Sequence, residues 1–150
     1  MGRRRRGREV VLQSLYAAQV GGFSLLPTVD EQLTRRDAPP ETAEFARELA
    51  TLVAAHLPAV DRWLAGLLEH WDPERVGQVE RAILRLALTE LAWSPAVPPA
   101  AVMDEACELA RKFGDEQAVG FVNGLLDRAA KQVAAGGGPA APAADGGVAP

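Results

Sequence analysis

Reactive side chains are scarce in this 150-residue chain. It has one cysteine, Cys107, two histidines, His56 and His70, and one tyrosine, Tyr16. A single cysteine closes no internal disulfide, which fits a reducing cytoplasm. The histidines and the cysteine show no metal-ligand spacing, so no metal site is expected. No glycine-rich loop leads into a helix, because the three glycines at 136–138 run into proline. Cys107 falls on the flank of a helical stripe and reads as a packing residue, and His56 lies on an apolar stripe as a core-edge imidazole. These absences predict a protein that is not an enzyme and carries no cofactor. Long apolar runs are missing too. No stretch of 18 or more apolar residues exists, so no membrane span is expected. The basic start has no apolar run behind it, since Glu9, Gln13 and Ser14 interrupt it, which excludes a conventional signal peptide.

Lysine is rare: fourteen of the sixteen basic residues are arginine. Five of those arginines stand within the first eight residues, although the whole chain carries a net charge of −4. Beyond residue 8, eleven basic side chains face twenty acidic ones, a net charge of −9. The body is acidic and the arm is basic, so a polyanion has to be met locally.

The periodicity is helical throughout, with no strand-like alternation. Val11, Leu12, Leu15 and Ala18 make one stripe, stopped by the glycines at 21 and 22. A brief helix is expected from Val29 to Arg36. Phe45, Leu49, Leu52, Val53 and His56 form the next stripe, which Pro58 is expected to break or restart. Val60, Trp63, Leu64, Leu67, Leu68 and Trp71 then repeat at three and four. The segment PERVGQVERAILRLALTELAW reads as the central helix, with Asp72 as N-cap and Pro73 in its first turn. Val102, Ala106, Leu109, Ala110 and Phe113 form a further stripe ended by Gly114, and Asp115 can cap the last helix. From Ala134 the chain is small residues, glycine and proline, expected to stay disordered because it has too little to bury. The fold class read from these patterns is all-α, with six or seven helices in one compact domain over residues 1–133 and a tail over 134–150.

Candidate binding residues follow from the wheel of the first helix. Arg6, Glu9, Gln13 and Tyr16 share a sector away from the core stripe, and the arginines are expected to reach outward. Arginine supplies charge for phosphates, an amide reads base edges, and an edge tyrosine stacks on a base. The competing reading is a solvated basic tail on a purely structural helical adaptor, with Tyr16 as boundary packing. On the central helix Glu74, Gln78, Arg81 and Arg85 make a polar stripe. Glu80 and Glu90 project from its apolar arc, where a carboxylate needs either an internal partner or a docked protein. Phe121 stands off the stripe of the last helix, and Gly120 and Gly124 allow either a close-approaching partner or tight internal packing.

Three segments, RRRRGREVVLQSLYAAQ, GQVERAILRLALTEL and EACELARKFGDEQAVGFVNGLLDRAA, in this order and spacing, closely resemble the NusB family of bacterial transcription antitermination factors. The resemblance covers about residues 3–131 and leaves the tail outside. It implies two packed three-helix-like bundles. It also implies binding to the boxA element of ribosomal RNA transcripts together with ribosomal protein NusE, other Nus factors and RNA polymerase, and homodimers in some members. By the same resemblance, Arg4, Arg5, Arg6 and Arg8 match the RNA-binding arm, and Gln13 and Tyr16 match the first-helix surface. Gln78 and Arg81 match polar positions near the RNA and partner surfaces, Glu80 matches an acidic position facing NusE, and Phe121 and Asn123 match the FVNG motif. Gln117 departs from relatives that carry an acid there.

Overall fold

The computed structural model describes residues 2–139. Among them are six α-helices, one 3-10 turn and no strand, so the protein is all-α. In chain order they are α1 (Arg3–Gly21), α2 (Leu25–Arg35), α3 (Pro40–Leu67), the 3-10 turn Pro73–Arg75, α4 (Gln78–Trp93), α5 (Pro99–Phe113) and α6 (Glu116–Ala134). Two compact units form along the chain, Met1–Ala55 and His56–Pro150, and α3 contributes residues to each.

In the first unit α1 packs on α2. Val11, Leu12 and Leu15 of the apolar stripe are buried, with Val10 beside them, while Ala18 is half-buried. Gly22 ends the helix at φ +76°, a left-handed conformation that costs glycine little, and its N–H donates to the Ala18 carbonyl. The helix α2 begins at Leu25, one turn before the expected Val29. Pro27 hid this start, but in a first turn the missing proline N–H has no intrahelical acceptor to lose.

Pro58 lies inside α3 and does not break it, contrary to expectation. The carbonyl that Pro58 deprives of a donor belongs to Ala54; both residues are exposed, so water can satisfy that oxygen. The helix instead ends at Leu67, whose carbonyl accepts from Arg128 Nη1 at 3.1 Å. That end leaves Trp71 outside the helix, although the three-four repeat ran through it.

The segment read as one central helix is also divided. Asp72 caps the 3-10 turn, its Oδ1 accepting from the Glu74 N–H at 3.0 Å. Val76 is extended, and α4 starts afresh at Gln78 with Gly77 as N-cap. Glu80 therefore sits in the first turn of α4. Beyond that turn α4 is buried nearly all round and packs against α5 and α6. Ile83, Leu84 and Leu88 are fully enclosed, each worth about 1.5–3 kcal/mol of burial. Asp115 caps α6 as expected, its Oδ1 accepting from the Ala118 N–H at 2.8 Å.

The segment expected to be disordered falls mainly on residues 140–150, which lie outside the described residues. Residues 135–139 form a turn after α6, with the Gly137 N–H on the Gln132 carbonyl at 2.7 Å. Pro139 is buried, and Gly138 lies against the Trp63 ring. The Trp63 Nε1 also donates to Gln132 Oε1 at 2.7 Å.

Candidate nucleic-acid and partner interface

The arginine segment is helical from Arg3, not a loose extension. Arg4 and Arg8 are one turn apart, and each guanidinium carbon lies 5.3 Å from the centre of the Phe45 ring. Gly7, between them, makes the approach possible: a Cβ there would come within 2.6 Å of that ring. Arg8 is buried at 5% exposure, so it does not reach outward as the sequence suggested. Arg4 and Arg6 remain exposed and Arg5 is half-buried. Beside them, Arg3, Arg4, Phe45 and the acids Glu41, Glu44 and Glu48 of α3 line a shallow groove of about 750 Å³.

The polar sector drawn on α1 is only partly open. Glu9 is buried, and Gln13 is half-buried with its Oε1 enclosed and unpaired. Tyr16 is 40% exposed and, with Arg6, is what that sector presents to solvent.

In the second unit a groove of about 870 Å³ gathers side chains from four places in the sequence. The turn after α3 supplies His70, Trp71 and Asp72; the 3-10 turn supplies Arg75; α4 supplies Glu80; the start of α6 supplies Asp115, Gln117 and Phe121. Glu80 and Phe121 are thus brought into one groove. The Glu80 carboxylate folds over Gly77, where it occupies the space a Cβ would need, at the positive end of α4. Phe121 is half-buried, its ring centre 4.9 Å from that of Trp71 with the planes at 75°.

Gln78 is exposed and Arg81 half-buried at the start of α4, outside the residues that line this groove. Arg85, read with them as one polar stripe, is held internally: its Nε and Nη2 donate to Asp61 Oδ1 and Oδ2, each at 2.9 Å. Glu90 is buried and has a partner within the protein. Asn123 is exposed, and its Oδ1 accepts from the Cys107 thiol at 3.7 Å. Burial pushes that thiol above its ordinary range, against the opposing charge of Arg111. A side chain added at Gly120 or Gly124 would meet nothing within 4 Å, so neither glycine serves internal helix packing. His56 stacks on Trp93 with ring centres 3.9 Å apart. Among the described residues no group of three or more potential ligands is placed to hold a metal, and no helix is long and apolar enough to cross a membrane.

Sequence reasoning missed Trp71. Its place on an apolar three-four repeat predicts a covered ring, yet it is 48% exposed. The available signal was Pro73, two residues later, which disfavours a helical conformation just before it.

An all-helical chain with an arginine-loaded first helix and an aromatic groove has the build of a nucleic-acid-binding protein. Comparison with known proteins narrows this. The NusB family model matches residues 5–131. The transcription antitermination protein NusB of Sorangium cellulosum is 41% identical over 133 residues, which span 89% of this chain and 95% of that protein. The solved structure of T. maritima NusB superposes with a TM-score of 0.79 at 33% identity, covering 86% of this chain and 91% of that one. A structure of the antitermination factors NusB and NusE with double-stranded RNA contains a chain 28% identical, with a TM-score of 0.76 and 87% and 98% covered. The chain belongs to the NusB family.

Proposed function

We propose that this chain is an RNA-binding transcription antitermination factor that takes the boxA element of ribosomal RNA transcripts together with NusE. It works in the cytoplasm, without catalysis, alongside other Nus factors and RNA polymerase, and so supports ribosomal RNA synthesis. Family membership over nearly the whole folded chain carries this reading.

The residues divide the work by their chemistry. Arg4 and Arg6, exposed on the first turns of α1, meet phosphates, and Arg5 and Arg8 add to the local positive field. Tyr16 offers a ring for stacking. Gln78, Arg81 and Asn123 supply polar contacts, Phe121 supplies an apolar one, and Glu80 faces a basic side chain of NusE. Gln13 contributes through its half-buried amide at most, since its oxygen is enclosed.

The test is a binding titration against single-stranded boxA RNA and a scrambled control, with NusE present and absent. It is repeated on a protein lacking residues 2–8. Preferential boxA binding, strengthened by NusE and weakened by loss of the arm, is the expected result. A chain that binds NusE but no RNA under any of these conditions is a helical adaptor instead.

A further inference from the structure

Beside the exposed Trp71 ring this fold gathers negative charge. Asp72, Glu80 and Asp115 line the same groove as Trp71 and Phe121, and Arg75 is the one guanidinium among the lining residues. Three carboxylates against one guanidinium leave the groove net acidic, which opposes a phosphate and favours a cation. Helix capping does not remove that charge. Asp72 accepts from the Glu74 N–H and Asp115 from the Ala118 N–H, each through Oδ1, and an ionised carboxylate that accepts one hydrogen bond keeps its charge and further acceptor sites. Glu80 stands half-exposed above Gly77.

The apolar part of the groove is a corner of two rings. Trp63 is buried and Trp93 is stacked on His56, so Trp71 is the tryptophan left open. Its N–H donates to the Leu68 carbonyl at 2.8 Å, which fixes the turn that carries the ring. Trp71 and Phe121 meet nearly edge-to-face and make two apolar walls. Gly120 has open space where a side chain would stand, so the approach to Phe121 is clear.

Aromatic walls beside an excess of carboxylates select one kind of side chain. An arginine guanidinium is planar and weakly hydrated, stacks on an aromatic ring, and donates to a carboxylate through two N–H groups at once. A lysine ammonium meets the charge but holds its water more strongly, which suits an apolar corner less well. Glu80 is the carboxylate already assigned to a basic side chain of NusE, and the two rings share its groove. We propose that Trp71, with Phe121 and Glu80, forms the seat for one arginine side chain of NusE, the guanidinium lying against the indole and pairing with Glu80. Asp72 and Asp115 supply negative field around it. The inference rests on the NusE-binding reading given above and adds to it the aromatic half of the contact and the side chain that fills it.

The measurement is calorimetric titration of NusE into the full chain, with affinity for single-stranded boxA RNA as the control readout. Trp71→Ala should weaken NusE binding roughly 2- to 30-fold, the span from an exposed to a desolvated cation–π contact, without a matching loss of RNA affinity. Trp71→Phe keeps a ring and should bind NusE more tightly than Trp71→Leu, which keeps apolar bulk without one. That pair tests the proposal even if the alanine variant folds poorly. Glu80→Gln should weaken NusE binding about 5-fold or less. Combined with Trp71→Leu, the joint loss should be smaller than the product of the two single losses, because both act on one guanidinium. Full NusE affinity in Trp71→Leu would overturn the proposal, and single losses that simply multiply would overturn the shared seat. A loss of RNA affinity with NusE binding intact would also overturn it, giving the corner to a nucleotide. No binding of NusE by the wild-type chain would remove the NusE reading itself, and this inference with it.

Discussion

The guanidinium of Arg85 grips both carboxylate oxygens of Asp61, with two N–O distances of 2.9 Å, and ties α4 to the second half of α3. The Arg85 side chain is only 18% exposed, whereas Asp61 is 40% exposed. Asp61→Ala should therefore leave a largely enclosed cation without its carboxylate. The expected loss is about 1–2 kcal/mol, less than for a fully buried pair because Asp61 still meets water. Urea denaturation measures it, and RNA affinity corrected for folded fraction should stay at the wild-type value.

The arm predicts a salt dependence. Contacts to phosphate release counterions, giving a log–log slope of about −0.7 per neutralised phosphate on a single strand. Replacing Arg4, Arg5 and Arg6 by alanine should flatten the slope and weaken boxA and control RNA alike. An unaltered slope would show that these arginines do not touch phosphates.

Tyr16 should separate from the arginines in its behaviour. Its ring is 40% exposed, so Tyr16→Ala should cost the fold little. If the ring stacks on a base, RNA binding should fall by about 1–3 kcal/mol, with Tyr16→Phe retaining most of it. Thermal melting and RNA titration on the same preparations give both numbers.

Glu80 carries a prediction about the protein partner. The carboxylate is half-exposed at the first turn of α4. Glu80→Gln keeps its shape and removes its charge, which should lower stability by about 0.3–1 kcal/mol through the helix dipole. Affinity for NusE should fall by about 1 kcal/mol or less, as for an ion pair at an interface rim. Calorimetric titration of NusE into each protein tests this, and equal affinities would remove Glu80 from the interface.

Truncation should distinguish two C-terminal boundaries. A chain ending at Pro139 keeps the turn that lies on Trp63, and one ending at Ala134 loses it. The shorter chain should melt lower, by roughly 2–4 °C for each kcal/mol lost at this size. Equal melting temperatures would mean that residues 135–139 add nothing to the fold.

The all-helical class, most helix positions and the concentration of arginine at one end are legible in the residue order alone. Helical periodicity, the Asp115 cap and the Gly22 stop are local signals, written within a few residues of where they act. It also carried the family resemblance, because the motifs around the start of α4 and in α6 are contiguous. Which side chains face solvent depends on how the helices pack. The repeat through Leu68 and Trp71 could not reveal that α3 ends at Leu67, where Arg128, sixty-one residues away, holds the last carbonyl. Nor could a helical wheel show that Glu9 is buried on a face drawn as open, or that Arg85 belongs to Asp61. Periodicity within one helix records its own preference for burial. It does not record which neighbours arrive to cover it, and at Trp71 that difference separates a core residue from an exposed one.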